Sequence, residues 1–232
     1  MNDARTGRPL LLGHRGARSR RSIPENTFKS FDQALADRCD GFEFDVRLTA
    51  DGQAVICHDA QSEGIDIAAA SAAECAGLPQ LEDVLARYRE SAFLDIELKV
   101  TGLEKGTIAA IRKYAPSRGF VLSSFLGEVL RAVHTEYSEI PLGLICETRA
   151  ELQHWRQLPI SYVIPHYKLV DLGFIQGVKD AGKKVLVWTV NSRAEMQRLQ
   201  ALGVDGIISD KTRLLAETLL ETYPGRNASE AT

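Results

Sequence analysis

LLLGHRGARSRRSIPENTFKSFDQALADRCDGFEFDVRLTADGQAVICHD, residues 10–59, carries the pattern that decides the fold. It reads as strand, helix, strand and hairpin. Leu10–Leu12 is a short apolar run that delivers His14 and Arg15. A helix follows from about Asn26 to Asp37, with Phe28, Phe31, Ala34 and Leu35 at helical spacing. Gly41–Val46 is the second strand and carries Glu43 and Asp45, and Ala54–Cys57 delivers His58. Three strand-length runs thus end in ionisable residues instead of turn formers, which packing alone does not explain.

Outward from this stretch, strand-like and helix-like segments alternate to the end of the chain. A helix at 81–90 leads into Phe93–Val100. Helices at 103–115, 126–136, 148–157, 172–181, 193–202 and 212–222 then enclose strands at 119–123, 141–145, 161–165, 184–190 and 206–209. With Ala54–Cys57 set aside, the count is eight strand–helix units. Strands alternating with helices of this length imply a parallel sheet. Eight units in this length predict an α/β fold of the closed (β/α)8 TIM-barrel class. The competing architecture is an open doubly wound sheet, but no G-x-G-x-x-G follows the first strand and no P-loop lysine motif occurs.

Thr49-Ala50-Asp51-Gly52 carries an Asp-Gly hairpin signal. The linker around it is too short for a helical crossover. Ala54–His58 should fold back antiparallel as a β-hairpin arm, and a turn centred on Asp51-Gly52 sets His58 opposite Asp45. A single catalytic domain over residues 1–232 is expected, with a short cap insertion at 59–80 and a polar tail at 224–232. Residues 60–77 should lie over the rim as loop or one short helix.

The chain has 232 residues, 44% hydrophobic and 25% charged, with a formal net charge of -3. A general nucleic-acid binder would carry a basic excess, so no nucleic-acid partner is expected. Cys39, Cys57, Cys75 and Cys146 make no CxxC pair and signal neither a thiolate zinc site nor a disulfide framework. The apolar run behind the polar residues 1–9 is too short for a signal-peptide core. No stretch approaches the ~20 apolar residues of a bilayer span. A cytoplasmic protein without stable membrane insertion is the expectation.

Glu43 and Asp45 stand two apart on a strand, so their side chains share a face. Two anions on one buried face need a cation, and oxygen-only ligands suit Mg2+ or Ca2+ better than zinc. FLDIELKV repeats the pattern: Asp95, Glu97 and Lys99 share a face. Glu97 is a natural third ligand, Lys99 a cation for an anionic substrate, and Asp95, a step deeper, structural. The bland alternative pairs these carboxylates with Arg15, Arg47 and Lys99 as ordinary ion pairs; three strands ending in the same chemistry favour a site. Two histidines beside a divalent cation suit the acid and base of a displacement. Arg15 adds a planar donor for phosphate oxygens. Together these groups describe phosphate-ester cleavage.

HRGA, PENT, GFEFDVRLTADG, VICHD, IELK, SSF, WTVN and GVDGIISD, in this order from about Gly13 to Lys211, resemble the glycerophosphodiester phosphodiesterase family. The resemblance implies a (β/α)8 barrel hydrolysing small-molecule glycerophosphodiesters to sn-glycerol 3-phosphate and an alcohol. It implies Ca2+ or Mg2+ on Glu43, Asp45 and Glu97, His14 and His58 as general acid and base, and phosphate contacts from Arg15 and Lys99. Glu25 and Asn26 match the PENT turn beside the site. Trp188 matches the aromatic near the glycerol pocket, its alternative being a core tryptophan. Members commonly carry a longer insertion after the HD pair than HDAQSEGIDIAAASAAECAGLPQLEDVL provides, so weak headgroup selectivity is expected. Two further functions stay open: a phospholipase-D-type lyase releasing a cyclic phosphate, and a non-catalytic phosphate-ester binding module.

Overall fold

The strand segments are buried on both faces, as parallel strands between a filled interior and a helical layer must be. Phe93–Leu98 and Leu142–Cys146 have no exposed residue. The computed structural model describes residues 7–18 and 22–220; the polar tail at 224–232 lies outside them. In chain order they form β1 (Leu10–His14), α1 (Phe28–Ala36), β2 (Gly41–Leu48), β3 (Ala54–Ile56), β4 (Gln61–Ser62), β5 (Ile65–Asp66) and α2 (Leu81–Tyr88). Next come β6 (Phe93–Leu98), α3 (Glu104–Lys113), β7 (Phe120–Ser124), α4 (Gly127–Glu136), β8 (Leu142–Cys146) and α5 (Arg149–Leu152). The described residues end with β9 (Tyr162–Pro165), α6 (Leu172–Asp180), β10 (Lys184–Val187), α7 (Arg193–Leu202), β11 (Gly206–Ser209) and α8 (Thr212–Leu220).

Strands β1, β2, β6, β7, β8, β9, β10 and β11 pair in parallel in that order, and β1 also pairs with β11. The barrel is closed, which removes the open-sheet alternative. Alternation along each strand sorts the side chains. Phe42 and Phe44 of β2 point outward, where Phe42 stacks on Phe31 of α1 at 4.2 Å and meets Tyr88 of α2 edge-on at 5.0 Å. Leu12, Val121, Ile145, Ile164, Leu186 and Ile208 fill the interior. On β2 and β6 that interior row holds Glu43, Asp45, Asp95 and Glu97 instead. Carboxylates thus replace the branched aliphatics of the other strands.

Three expectations need correction. The helix at 148–157 is α-helical only over Arg149–Leu152 and then tightens into a 3-10 turn over Gln153–Gln157, which carries Trp155 into the core at 3% exposure. The hairpin register pairs Val46 with Ile56, and the Cys57 N–H donates to the Asp45 carbonyl at 3.0 Å. Cys57, not His58, therefore lies across from Asp45. The turn closes as a five-residue loop from Thr49 to Gln53, sealed by the Thr49 N–H donating to the Gln53 carbonyl, so its centre falls on Asp51. The insertion is neither plain loop nor helix. Strands β4 and β5 form a small antiparallel hairpin, followed by turns whose Ile67, Ala70 and Cys75 pack on Val55 of the arm. Among the described residues no helix is long and apolar enough to cross a membrane.

Candidate active site

A cavity of about 350 Å3 opens at the C-terminal ends of the barrel strands. His14, Arg15, Glu43, His58, Glu97, Lys99 and Trp188 all line it. A larger depression of about 610 Å3 at the opposite end of the barrel holds none of the expected site residues. Catalytic groups on this fold come from the C-terminal strand ends, so the smaller cavity is the candidate site.

β1 delivers His14 and then turns sharply. Arg15 and Gly16 take left-handed backbone angles, φ 53 and 80. A Cβ on Gly16 would sit 2.5 Å from the Ser30 backbone, so only glycine fits this approach to α1. The turn aims the Arg15 N–H at Glu43 Oε2, 2.9 Å away. The PENT turn braces the same corner: the Asn26 N–H donates to the Arg15 carbonyl, Asn26 Nδ2 donates to Asp45 Oδ2 at 2.8 Å, and Glu25 accepts from the Arg15 guanidinium at 2.8 Å. Thr27 caps α1 by accepting from the Ser30 N–H. Glu25 and Asn26 thus hold Arg15 and Asp45 in place.

Glu43, Asp45 and Glu97 each offer an oxygen within 4.8 Å of the others. All three are buried, at 4%, 1% and 7% exposure. Lys99 Nζ lies 2.7 Å from Glu97 Oε1 and 3.3 Å from Asp45 Oδ1, and Arg15 Nε lies 3.2 Å from Asp45 Oδ2. Burial pushes Glu43 well above the usual carboxylate range, with Asp45 and Glu97 adding repulsion. Burial, then repulsion from Asp45, pushes Glu97 up to about 7. Burial works against ionisation of Asp45 too, but Lys99, Arg15 and the Asn26 hydrogen bond hold it below its ordinary value. Asp95 accepts a 2.5 Å hydrogen bond from Ser123 at the floor of the cluster, and burial pushes it up to about 7.

This environment fits a divalent cation. Glu43 Oε1 is buried with no hydrogen-bond partner, and Asp45 Oδ1 is buried with the Lys99 ammonium 3.3 Å away as an ion-pair contact. Among the described residues, the four buried carboxylates meet two permanently charged side chains, Arg15 and Lys99, and His14 Nε2 lies 3.9 Å from Glu43 Oε2. An all-oxygen donor set of this charge matches a hard ion.

Each histidine leans on a carboxylate. His14 Nδ1 lies 2.7 Å from Asp210 Oδ1, and Asn191 Nδ2 donates to Asp210 Oδ2 at 2.6 Å. His58 Nδ1 lies 2.7 Å from Asp59 Oδ1. Burial lowers the pKa of His58, with the hydrogen bond to Asp59 opposing it. Trp188 donates through Nε1 to the Ile164 carbonyl at 2.9 Å and meets Phe125 edge-on at 5.7 Å. It is half-buried, lining the cavity and also packing against the interior aliphatic cluster.

The sequence matches the profile of the Glycerophosphoryl diester phosphodiesterase family over residues 14–66 and 61–214. The chain belongs to this family. It is 30% identical over 234 residues to the glycerophosphodiester phosphodiesterase of Caldanaerobacter subterraneus subsp. tengcongensis, covering 89% of this chain and 96% of that one. A glycerophosphodiester phosphodiesterase of Bacillus subtilis is 26% identical, covering 88% and 84%. Among solved structures, an Oleispira antarctica phosphodiesterase in complex with the product sn-glycerol-3-phosphate superposes with a TM-score of 0.78 at 26% identity, covering 91% and 96%. A Silicibacter pomeroyi relative reaches 0.85 at 21% identity, covering 94% and 95%; that likeness speaks to the fold.

The structure brings every candidate residue of this family member to one barrel mouth. Reading the sequence missed Asp210, Asn191 and Asp59 behind the histidines, and Phe125 and Glu147 in the cavity wall. The signal for Asp210 was present: GIISD ends a barrel strand in a carboxylate, and closure sets the last strand beside the first.

Proposed function

We propose that this protein hydrolyses glycerophosphodiesters to sn-glycerol 3-phosphate and an alcohol, using Glu43, Asp45 and Glu97 to hold Ca2+ or Mg2+. The observation that carries this reading is a single cavity lined by two histidines, an arginine, a lysine and a buried carboxylate cluster. Held by these carboxylates, a divalent cation would supply charge neutralisation for the phosphate. Arg15 and Lys99 contribute further positive charge to the phosphate, and the carboxylates around them keep both side chains fixed. Carboxylate partners hold hydrogen on Nδ1 of both imidazoles, leaving each Nε2 for proton transfer. One histidine takes a proton from the attacking water, and the other gives one to the departing alkoxide. Trp188 and Phe125 form an apolar stretch of the cavity wall suited to the glycerol carbons.

A single catalytic domain is supported by one hydrophobic cluster that runs from Leu11 to Leu219. The four cysteines are free, which suits the cytoplasmic setting we assign. The deciding experiment incubates the protein with glycerophosphocholine, glycerophosphoethanolamine and glycerophosphoglycerol and follows products by phosphorus NMR. Glycerol 3-phosphate as the first phosphorus product supports hydrolysis. A cyclic phosphate would replace this reading with the lyase, and no turnover of any of the three would leave a binding module.

A further inference from the structure

Strand β2 presents Glu43, Asp45 and Arg47 at alternate positions, so the three side chains share one face. The first two reach the carboxylate cluster. Arg47 stands one step beyond, on the arm, and does not line the substrate cavity; it lines a separate groove with Ala60, Ile67, Val100 and Thr101. Its guanidinium donates twice to one atom: Nε to the His58 carbonyl at 2.9 Å and Nη2 to the same oxygen at 2.6 Å.

His58 needs such a hold. Strand β3 ends at Ile56, and the last backbone bond of the arm to β2 is the Cys57 N–H to the Asp45 carbonyl. The insertion begins its own backbone pairing at Ala60, whose carbonyl accepts from the Ile67 N–H at 3.0 Å, so His58 lies in the gap between two ladders. Asp59, which steadies the ring through Nδ1, is itself 79% exposed. A two-point bond from a planar, always-charged donor fixes the backbone where the ladders do not.

We propose that Arg47 is a positioning residue for His58, clamping its main chain to the strand that carries Glu43 and Asp45. Metal ligands and histidine are then set by one rigid element, and their mutual distance does not depend on the insertion. The inference rests on His58 taking part in proton transfer, as read above.

A double-mutant cycle on the full-length protein tests it, with glycerophosphocholine as substrate and Ca2+ or Mg2+ present. Arg47→Gln should lower kcat roughly 10–100-fold with KM within about threefold, as a displaced catalytic group does. Arg47→Lys, which keeps the charge and one donor, should recover part of the loss and serves if Arg47→Gln folds poorly. In a His58→Ala background, Arg47→Gln should cost nothing further. An unchanged kcat in Arg47→Gln while His58→Ala is impaired overturns the clamp. Equal losses in both backgrounds also overturn it, since Arg47 would then act on the fold at large. Full activity in His58→Ala would overturn the role of His58 itself and the clamp with it.

Discussion

His14 Nδ1 sits 2.7 Å from Asp210 Oδ1, a contact spanning 196 residues of sequence. It exists because the barrel closes: β1 pairs with β11 through Gly13 and Ser209, so His14, the last residue of β1, and Asp210, the first past β11, become neighbours. Asp210→Asn keeps the shape but removes the carboxylate acceptor that orients the His14 ring through Nδ1. It should lower kcat by less than the roughly 10²–10⁴-fold expected for His14→Ala, with KM little changed. Combined with His14→Ala it should add no further loss. Steady-state kinetics of the three variants checks this.

The carboxylate cluster predicts a pH signature in the metal-free protein. Burial raises Glu97 to about 7 from an ordinary 4.5. A raised carboxyl binds its proton more tightly folded than unfolded, so its contribution to stability falls as pH rises through that window and is level above it. Glu97→Gln removes this titration. In chelator, urea unfolding should show the variant gaining on wild type between pH 4.5 and pH 7, with the larger gain at pH 7. The lowered pKa of His58 acts with the opposite sign but is present in both proteins.

Gly16 carries both a left-handed backbone and a 2.5 Å approach to Ser30. Gly16→Ala should destabilise the fold by more than ~1 kcal/mol. The same turn aims the Arg15 N–H at Glu43, so activity should fall as well. Denaturant midpoints and kcat measured side by side test the pair of effects.

Residues 59–80 contribute nothing to the lining of the cavity, whereas Phe125, Glu147 and Trp188 do. Ile65→Ser at the tip of the insertion should leave kcat/KM unchanged. Trp188→Ala should raise KM for every substrate more than it lowers kcat. With so little of the wall built by the insertion, kcat/KM for choline, ethanolamine and glycerol diesters should agree within about tenfold, or ~1.4 kcal/mol.

What could be read from the sequence follows a physical division. Spacing of two on a strand reported that Glu43 and Asp45 share a face, and the same rule caught Glu97 and Lys99. Repeated strand–helix alternation gave the barrel. The hairpin was legible but slipped by one residue, because an Asp-Gly pair signals a turn without fixing its length. Asp210 and Asn191 were out of reach for periodicity, since their partners come from neighbouring strand ends: Asp210 meets His14 through barrel closure, and Asn191 meets Asp210 across the ends of β10 and β11. Arg47 was visible as a charge, but its bond to the His58 carbonyl depends on where the β3 ladder stops.

The central claim is that three buried carboxylates hold a divalent cation on which turnover depends. The direct measurement strips the protein of metal with chelator, verifies its removal by elemental analysis, and follows glycerol 3-phosphate release as Ca2+ or Mg2+ is returned. We predict no turnover without metal, saturable recovery on re-addition in wild type, and none in Glu43→Gln or Asp45→Asn proteins that remain folded. Full activity in verified metal-free protein would contradict the account.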